Sequence, residues 1–142
     1  KYGGGKTAWK REKAAERLRQ VADSVCNEGC KRIIVMGDFN DVPSAEAFAR
    51  LSPLLVNVSE ELDKKGEGTI RFNGKWNLID MFWTTADLAD STLMHIVKIP
   101  FLMVRDRQMS GEKPLRTYLG PRYAGGVSDH CPVVLEIYCR KK

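Results

Sequence analysis

Asp38 and Asn40 form the first pattern with chemical potential, because they lie two positions apart directly after the apolar run 33–36. If the chain stays extended there, both side chains project to the same side at the end of a strand. A carboxylate that accepts a proton from water, next to an amide that holds an anionic oxygen, suits the hydrolysis of a phosphate ester. Asp and Asn also favour turns, so a simple turn is the alternative interpretation.

Asp80 and His130 form a second candidate pair. Asp80 interrupts an apolar run, and a buried carboxylate is costly unless it is paired. The imidazole of His130 would satisfy it, and a buried carboxylate commonly orients a catalytic histidine in this way. His130 follows Ser128 and Asp129, but neighbouring side chains of an extended segment point in opposite directions, so these three residues cannot form a self-contained triad. The alternative for Asp80 is a strand end capped by backbone donors.

Three further polar features carry weaker signals. Asp129 offers a carboxylate to a hard cation, and His130 offers an imidazole to a phosphate. His95 lies within an apolar strand, where we interpret it as structural. The sequence Gly5-Lys6-Thr7 superficially resembles the end of a phosphate-binding loop, but the first glycine of that motif would precede Lys1, so the pattern cannot be tested.

The composition limits the class of protein. The chain has 142 residues, 43% of them hydrophobic, and its 23 Lys and Arg against 18 Asp and Glu give a formal net charge of +5. These values predict one globular domain and exclude disorder, collagen and coiled coil. No apolar run approaches the ~20 residues of a membrane-spanning helix. The positive charge favours anionic partners such as phosphate esters, of which nucleic acid is one.

The cysteines and the first residue add little about function. No Cys-x-x-Cys pair occurs and there are only two histidines, so we expect free or buried thiols rather than a zinc site or disulfides. Because Lys1 is not a methionine, we expect the native start to lie upstream, and the missing targeting signal says nothing about location.

An amphipathic helix is predicted to begin near Thr7 and to end at Gly29. Its apolar stripe consists of Ala14, Leu18, Val21, Ala22 and Val25. Residues 33–36 are predicted to form a strand that is buried on both faces. A short helix from Pro43 to about Leu51, a strand over 54–58 and a loop over 60–68 are expected to follow.

The second half of the chain is predicted to be mainly strands. The turn Asn73-Gly74 lies between the expected strands 69–72 and 78–84, and further strands are expected over 93–99 and 133–138. Residues 101–127 form a long connection that is rich in arginine. Connections of this length are usually functional or disordered.

Three motifs in order carry a resemblance to a known family: Gly37-Asp38-Phe39-Asn40, then Leu78-Ile79-Asp80-Met81-Phe82, then the stretch Gly126-Val127-Ser128-Asp129-His130-Cys131-Pro132-Val133. Together they resemble the C-terminal motifs of the endonuclease/exonuclease/phosphatase (DNase I-like) superfamily. The stretch from Gly74-Lys75-Trp76 through Arg116-Thr117-Tyr118-Leu119-Gly120-Pro121 resembles bacterial members of unassigned substrate.

The resemblance implies an α/β fold, the four-layer α/β/β/α sandwich, with mixed, mainly antiparallel sheets and flanking helices. That fold is about twice as long as this chain, so residues 1–142 are expected to be the C-terminal half of one domain. The half that is expected to be missing would supply a metal-binding Glu, an Asn near the first strand and an Asn-x-His motif. Without it, an apolar sheet face is exposed, and we expect pairing with the missing half or self-association.

The resemblance also implies roles for individual residues. Asp38 would orient or deprotonate the attacking water, and Asn40 would contact the phosphoryl oxygens. His130 would stabilise the pentacovalent phosphate or shuttle its proton, Asp80 would position His130, and Asp129 would help to bind Mg²⁺ or Mn²⁺. Substrate contacts are expected from Trp76, Arg105, Arg116 and Tyr118.

The sequence therefore predicts a metal-dependent phosphoester hydrolase that uses activated water, with poor metal affinity in this chain alone. The alternative is a non-catalytic, basic nucleic-acid-binding domain. That alternative predicts salt-dependent DNA binding that survives loss of Asp38 and His130 and depends on Arg105, Arg107 and Arg116.

Overall fold

A computed structural model describes residues 4–139. Its α-helices are Ala8–Asn27 (α1), Glu60–Lys64 (α2) and Ala86–Ala89 (α3). Its strands are Ile34–Asp38 (β1), Leu55–Asn57 (β2), Ile70–Phe72 (β3), Lys75–Asn77 (β4), Asp80–Thr85 (β5), Thr92–Ile96 (β6), Met103–Arg105 (β7), Glu112–Pro114 (β8), Tyr118–Leu119 (β9), Arg122–Tyr123 (β10) and Val133–Ile137 (β11).

The strands form small antiparallel sheets. The largest has the order β1-β5-β2, and four two-stranded sheets pair β3 with β4, β6 with β11, β7 with β8 and β9 with β10. The predicted mixture of α-helices with mainly antiparallel strands is confirmed. Among the described residues, none of the helices combines the length and apolar character needed to cross a membrane.

Helix α1 covers one face of the three-stranded sheet, although not with the predicted stripe. Ala15 and Ala22 are buried and Leu18 packs beside them, whereas Ala14 and Val21 are exposed. The inward face is therefore rotated by one residue relative to the prediction. The core beneath α1 also contains Phe48, Leu51, Leu55, Met81 and Trp83.

The prediction that the first strand is buried on both faces was wrong. Val35 packs against the core under α1, but Met36 is 72% exposed and Ile34 is 38% exposed. Strand β1 lies at the edge of its sheet, and among the described residues nothing covers the part of the opposite face that carries these two side chains. The apolar side chains of β1 therefore suit a strand that is covered on both faces, but the described residues cover only the face that packs against α1.

A second core lies on the other face of β5, below the two-stranded sheet of β6 and β11. Leu78, Phe82 and Met94 are buried there. Leu62 of α2 packs against the same core, so the loop predicted over 60–68 is partly helical. Acidic residues in the first turn of α2 suit its positive end, and Lys64 Nζ lies 2.8 Å from Glu61 Oε1.

Two other local predictions needed correction. The turn Asn73-Gly74 is present, with φ values of 49° and 77°. Both residues are left-handed, as a two-residue hairpin turn requires. The turn joins β3 to β4 rather than to the strand at 78–84, which pairs with β1 and β2 as β5. The helix predicted over 43–51 is a single 3₁₀ turn, Glu46–Phe48, within other turns.

The long connection 101–127 is folded into a 3₁₀ turn, Pro100–Leu102, and the hairpins β7-β8 and β9-β10. The strands expected over 93–99 and 133–138 are shorter, as β6 and β11. The four cysteines, Cys26, Cys30, Cys131 and Cys139, are free in this structure. Burial of Cys131 raises the pKa of its thiol.

Candidate functional site

The last register pair of β1 and β5 brings two carboxylates together. Asp38 lies directly opposite Asp80, and opposed residues of an antiparallel pair project from the same face. The strands stay joined beyond this pair, because the Phe39 amide donates to the Ile79 carbonyl at 2.8 Å. The two residues that the sequence selected on different strands therefore share one end of the sheet.

His130 joins these carboxylates from the loop before β11. Its Nδ1 lies 2.8 Å from Asp80 Oδ2, with the two side chains 23% and 17% exposed. A single antiparallel bridge to Ile70 holds the His130 backbone in place, and the Ser128 hydroxyl accepts its amide at 3.0 Å. The structure thus contains the Asp80 to His130 contact that the sequence predicted.

Thr69 connects the three segments of the site, and the sequence analysis missed it. Its buried hydroxyl accepts the amides of Ile79 and Asp80 at 3.3 Å each, and its carbonyl accepts the amide of Cys131 at 2.7 Å. Thr69 therefore positions both partners of the Asp80 to His130 contact. A threonine at the start of a strand carries no sequence signal for this role.

Asn40 contacts Asp38 directly instead of continuing an extended strand. Its φ of 54° is left-handed and curls the chain back. The Asn40 amide then donates to Asp38 Oδ1 at 2.8 Å, and its Nδ2 donates to Asp38 Oδ2 at 3.2 Å. The expectation of an extended chain at this pair was wrong. The chain turns at Asn40, as in the alternative interpretation, and the two side chains still lie together.

Asp129 lies outside this cluster. Its Oδ2 is 3.3 Å from Arg116 Nη2, and both side chains are partly exposed. The predicted metal ligand is thus paired with one of the predicted substrate contacts. The two residues lie beside the cluster, since Asp129 directly precedes His130.

The other expected substrate contacts lie in different places. Arg105 and Arg116 line the same cavity. Tyr118 contacts Tyr123, with ring centroids 5.6 Å apart, and both rings are exposed. Trp76 lies in β4, where the Lys98 ammonium is 4.2 Å from its ring centroid. Tyr118 and Trp76 therefore each pack against another side chain of this protein.

A polar network that the sequence analysis did not detect holds the segment 106–112. Asp106 is buried, and Lys113 Nζ lies 2.9 Å from its Oδ1. The same oxygen accepts the amides of Gln108 and Met109, and these donors, with Lys113 first, lower the pKa of the carboxyl. Arg71 donates to the Ser110 and Glu112 carbonyls at 2.6 and 3.0 Å.

The cluster could hold a metal ion, because one ligand atom each from Asp38, Asp80 and His130 lies within 4.8 Å of the others. Mg²⁺ prefers oxygen ligands in octahedral geometry. Here one ligand is an imidazole nitrogen that contacts Asp80, both Asp38 oxygens accept hydrogen bonds from Asn40, and Asp129 lies outside. These side chains alone do not fit a Mg²⁺ site, which would need further oxygen ligands.

The fold and site together describe a mixed α/β protein with two carboxylates and an imidazole gathered at the end of an antiparallel strand pair. The chain belongs to the endonuclease/exonuclease/phosphatase family, whose match covers residues 1–139. The resemblance seen in the sequence motifs is therefore confirmed. The comparison with curated proteins found no matching relative.

Solved structures show the same fold over part of their length. A mannosyl-6-phosphatase from Bacteroides thetaiotaomicron matches with a TM-score of 0.57 and 17% identity over 91% of this chain and 46% of its own. An endonuclease/exonuclease/phosphatase family protein from the same organism matches with a TM-score of 0.54 and 16% identity, over 87% of this chain and 43% of its own. This chain thus spans less than half the length of either structure.

Proposed function

We propose that this chain contributes the C-terminal half of the active site of a metal-dependent phosphoester hydrolase. The observation that carries the proposal is the cluster of Asp38, Asp80 and His130, with the last two 2.8 Å apart. Two carboxylates and an imidazole supply a base for water and a donor for an anionic oxygen. Family membership supports the same kind of chemistry.

The half-domain part of the proposal rests on coverage and on exposed apolar surface. Two structurally similar proteins are more than twice as long as the matched part. Ile34, Met36 and Val56 expose apolar side chains on the face of the sheet that also carries Phe82. A second half of a four-layer sandwich would cover this face, and the chain alone is expected to self-associate through it.

Asp38 is the proposed base for the attacking water. Its two oxygens accept hydrogen bonds from Asn40, which hold the carboxylate in one orientation. Each carboxylate oxygen retains a further lone pair, so Asp38 can still accept a proton from water. Asn40 Nδ2 has a second N–H group, which can donate to a phosphoryl oxygen.

His130 is the proposed donor to the phosphate. Its Nδ1 is used in the contact with Asp80, so its Nε2 is the nitrogen that is available to substrate. With Asp80 ionised, Nδ1 carries a proton, and the imidazolium form can donate from Nε2 to a phosphoryl or leaving-group oxygen. Asp80 acts as a positioning residue, because it works through His130.

Mg²⁺ or Mn²⁺ is the proposed metal, and it would stabilise negative charge on the phosphate when bound. The cluster alone is incomplete as a Mg²⁺ site, so oxygen ligands from outside it are required. Asp129 is the proposed ligand from this chain, which requires that it leave Arg116.

The incomplete ligand set predicts weak metal binding. The 142-residue chain is expected to bind Mn²⁺ with a Kd of about 1 mM or weaker, as measured by electron paramagnetic resonance titration. The complete protein, which supplies the missing ligands, is expected to bind more tightly. A micromolar Kd in the chain that is lost in Asp38→Ala would show instead that the cluster is a complete site.

A sugar phosphomonoester is the first substrate to test, because a structurally similar protein is a mannosyl-6-phosphatase. The complete protein should be assayed on mannose 6-phosphate, p-nitrophenyl phosphate and bis-p-nitrophenyl phosphate, with Mg²⁺ or Mn²⁺ and with a chelator. Turnover is expected to require the metal and to fall by about 10²- to 10⁴-fold in Asp38→Ala.

Asp90→Ala is the matched control, because it removes an exposed carboxylate at the end of α3 and is expected to leave turnover unchanged. Unchanged turnover in Asp38→Ala would contradict the mechanism. Salt-dependent DNA binding without hydrolysis of any of the three compounds would favour the nucleic-acid-binding alternative.

A further inference from the structure

A basic cavity of about 680 Å³ lies between the β3-β4 turn and the two hairpins of the 101–127 segment. Its volume is within the usual range for sites that bind small molecules. The residues that matter here are the cationic side chains of its wall: Arg71, Arg105, Arg107, Lys113, Arg116 and Arg122.

Two of these cations are already used to build the cavity. Arg71 is largely buried and donates to the carbonyls of Gly74, Ser110 and Glu112, and Lys113 pairs with Asp106. Asp106 is the acidic residue of the wall; Lys113 balances its charge, and the amides of Gln108 and Met109 donate to it. The polar groups of Arg71, Lys113 and Asp106 therefore have partners within the protein, and their contacts hold the neighbouring side chains of the cavity in place.

Three of the other wall cations remain available for a ligand. Arg105, Arg107 and Arg122 have no carboxylate within ion-pair distance anywhere in residues 4–139. Glu112 is opposite Arg105 in strand register but does not pair with it. Arginines without partners around one cavity create a positive potential, and a phosphate is an anionic group that they bind in bidentate geometry.

The wall also carries apolar groups, including Met109, Leu115, Leu119 and the ring of Tyr123. Tyr118 packs against the edge of that ring and supports it. A ligand with an anionic group and a compact body matches this mixture. A cavity of this size suits such a ligand better than a polymer, which needs an extended basic groove.

Two contacts connect this cavity to the catalytic cluster. Arg116 lines the cavity and pairs with Asp129, the neighbour of His130. Ile70 forms the backbone bridge to His130, and the next residue, Arg71, is part of the cavity wall. The cavity wall and the cluster are therefore joined through Arg116 and through the backbone of β3.

We propose that the basic cavity binds a second phosphate group of the substrate, so that the enzyme prefers small bisphosphorylated molecules to monophosphates. This inference rests on the proposed phosphoester hydrolase function. Arg105 and Arg122 hold the second phosphate, and Arg116 lies between it and the reacting one. The cavity thereby determines substrate choice without taking part in the chemical step.

The test is a calorimetric comparison of glucose 6-phosphate with glucose 1,6-bisphosphate at fixed ionic strength. The complete protein carries Asp38→Ala to prevent turnover. The bisphosphate is expected to bind about 10- to 100-fold more tightly, the usual effect of hydrogen bonds to charged groups. The double variant Arg105→Gln/Arg122→Gln is expected to reduce this ratio to less than about threefold.

The matched control is Arg17→Gln/Lys31→Gln, which removes the same charge from exposed positions on and after α1 and is expected to preserve the ratio. Equal affinity for the two sugars, or a ratio that the cavity variant leaves unchanged, would overturn the proposal. Binding of a single-stranded oligonucleotide that is lost in the cavity variant, without any bisphosphate preference, would assign the cavity to nucleic acid instead.

Turnover is measured separately and distinguishes this proposal from the proposed function. A protein that shows the bisphosphate preference but hydrolyses no phosphoester contradicts only the hydrolase function. A protein that hydrolyses phosphomonoesters in a His130-dependent way but shows no preference contradicts only the role of the cavity. Thermal unfolding of each variant confirms that the compared proteins are folded.

Discussion

His130→Ala is expected to lower kcat of the complete enzyme by about 10²- to 10⁴-fold, the usual contribution of a side chain that transfers a proton in the transition state. The structure leaves its Nε2 for substrate, because Nδ1 contacts Asp80 at 2.8 Å. KM is expected to change much less, since the donation strengthens as charge develops on the phosphate. Steady-state kinetics on a p-nitrophenyl ester measure both values.

Two further variants identify the cause of that loss. His130→Asn keeps an N–H group that can donate to Asp80 but has no ionisable ring, so we expect it to be as inactive as His130→Ala. His95→Ala is the matched control, because His95 is the other histidine and is exposed beside Glu136 in the β6-β11 sheet. Equal activity in the His130 and His95 variants would contradict the assignment.

Gly126→Ala is expected to lower the free energy of unfolding by about 3 kcal/mol, the upper end of the usual cost of overpacking. A β-carbon there would collide with the Leu115 carbonyl and lie 2.6 Å from the Arg116 oxygen. These are backbone atoms, which cannot rotate away. Because Gly126 leads into the loop of Asp129 and His130, turnover is expected to fall as well.

Gly120→Ala separates collision from backbone strain. Gly120 lies in the same segment with a φ of +60° and has open space around its α-carbon. Its cost is therefore limited to about 1–2 kcal/mol of left-handed strain. Urea denaturation of both variants measures the difference. An unfolding midpoint in Gly126→Ala equal to that of the unsubstituted protein would show that the contact with Leu115 is not tight.

Much of the site could be predicted, because a charged side chain in an apolar segment is energetically unfavourable unless it has a partner. A carboxylate in the apolar strand of Asp80 needs a partner, and the structure provides His130. The position of Asp38 opposite Asp80 depends on strand register, which residue types alone do not reveal. Thr69 could not be found, because a hydroxyl that accepts two backbone amides resembles any other buried threonine.

The fold predictions failed where one local sequence pattern is compatible with two different structures. The apolar run of β1 suggests burial on both faces, but Met36 is exposed because only α1 covers the strand here. The turn at Asn73 and Gly74 was recognised, yet the turn does not determine which strand continues the hairpin. The polar segment of α2 is helical because Leu62 anchors it to the second core.

The arginine-rich segment shows the limit of composition most clearly. Its residue types predicted contacts with an anion, and Arg105 and Arg116 do line one cavity. The sequence analysis also grouped Trp76 of β4 with them, although Trp76 packs against Lys98 elsewhere. It also did not show that Lys113 is used to neutralise Asp106. Location and pairing decide these roles, and both require the folded chain.

The central claim, that Asp80 works through His130 in phosphoester hydrolysis, is tested most directly by a double-mutant cycle of kcat/KM in the complete enzyme. Asp80→Asn alone is expected to lower kcat/KM by about 10²- to 10⁴-fold, and in the His130→Asn background by less than about threefold. That result would mean that the two side chains act as one unit. Losses that multiply independently in the double variant would show that Asp80 and His130 serve separate purposes.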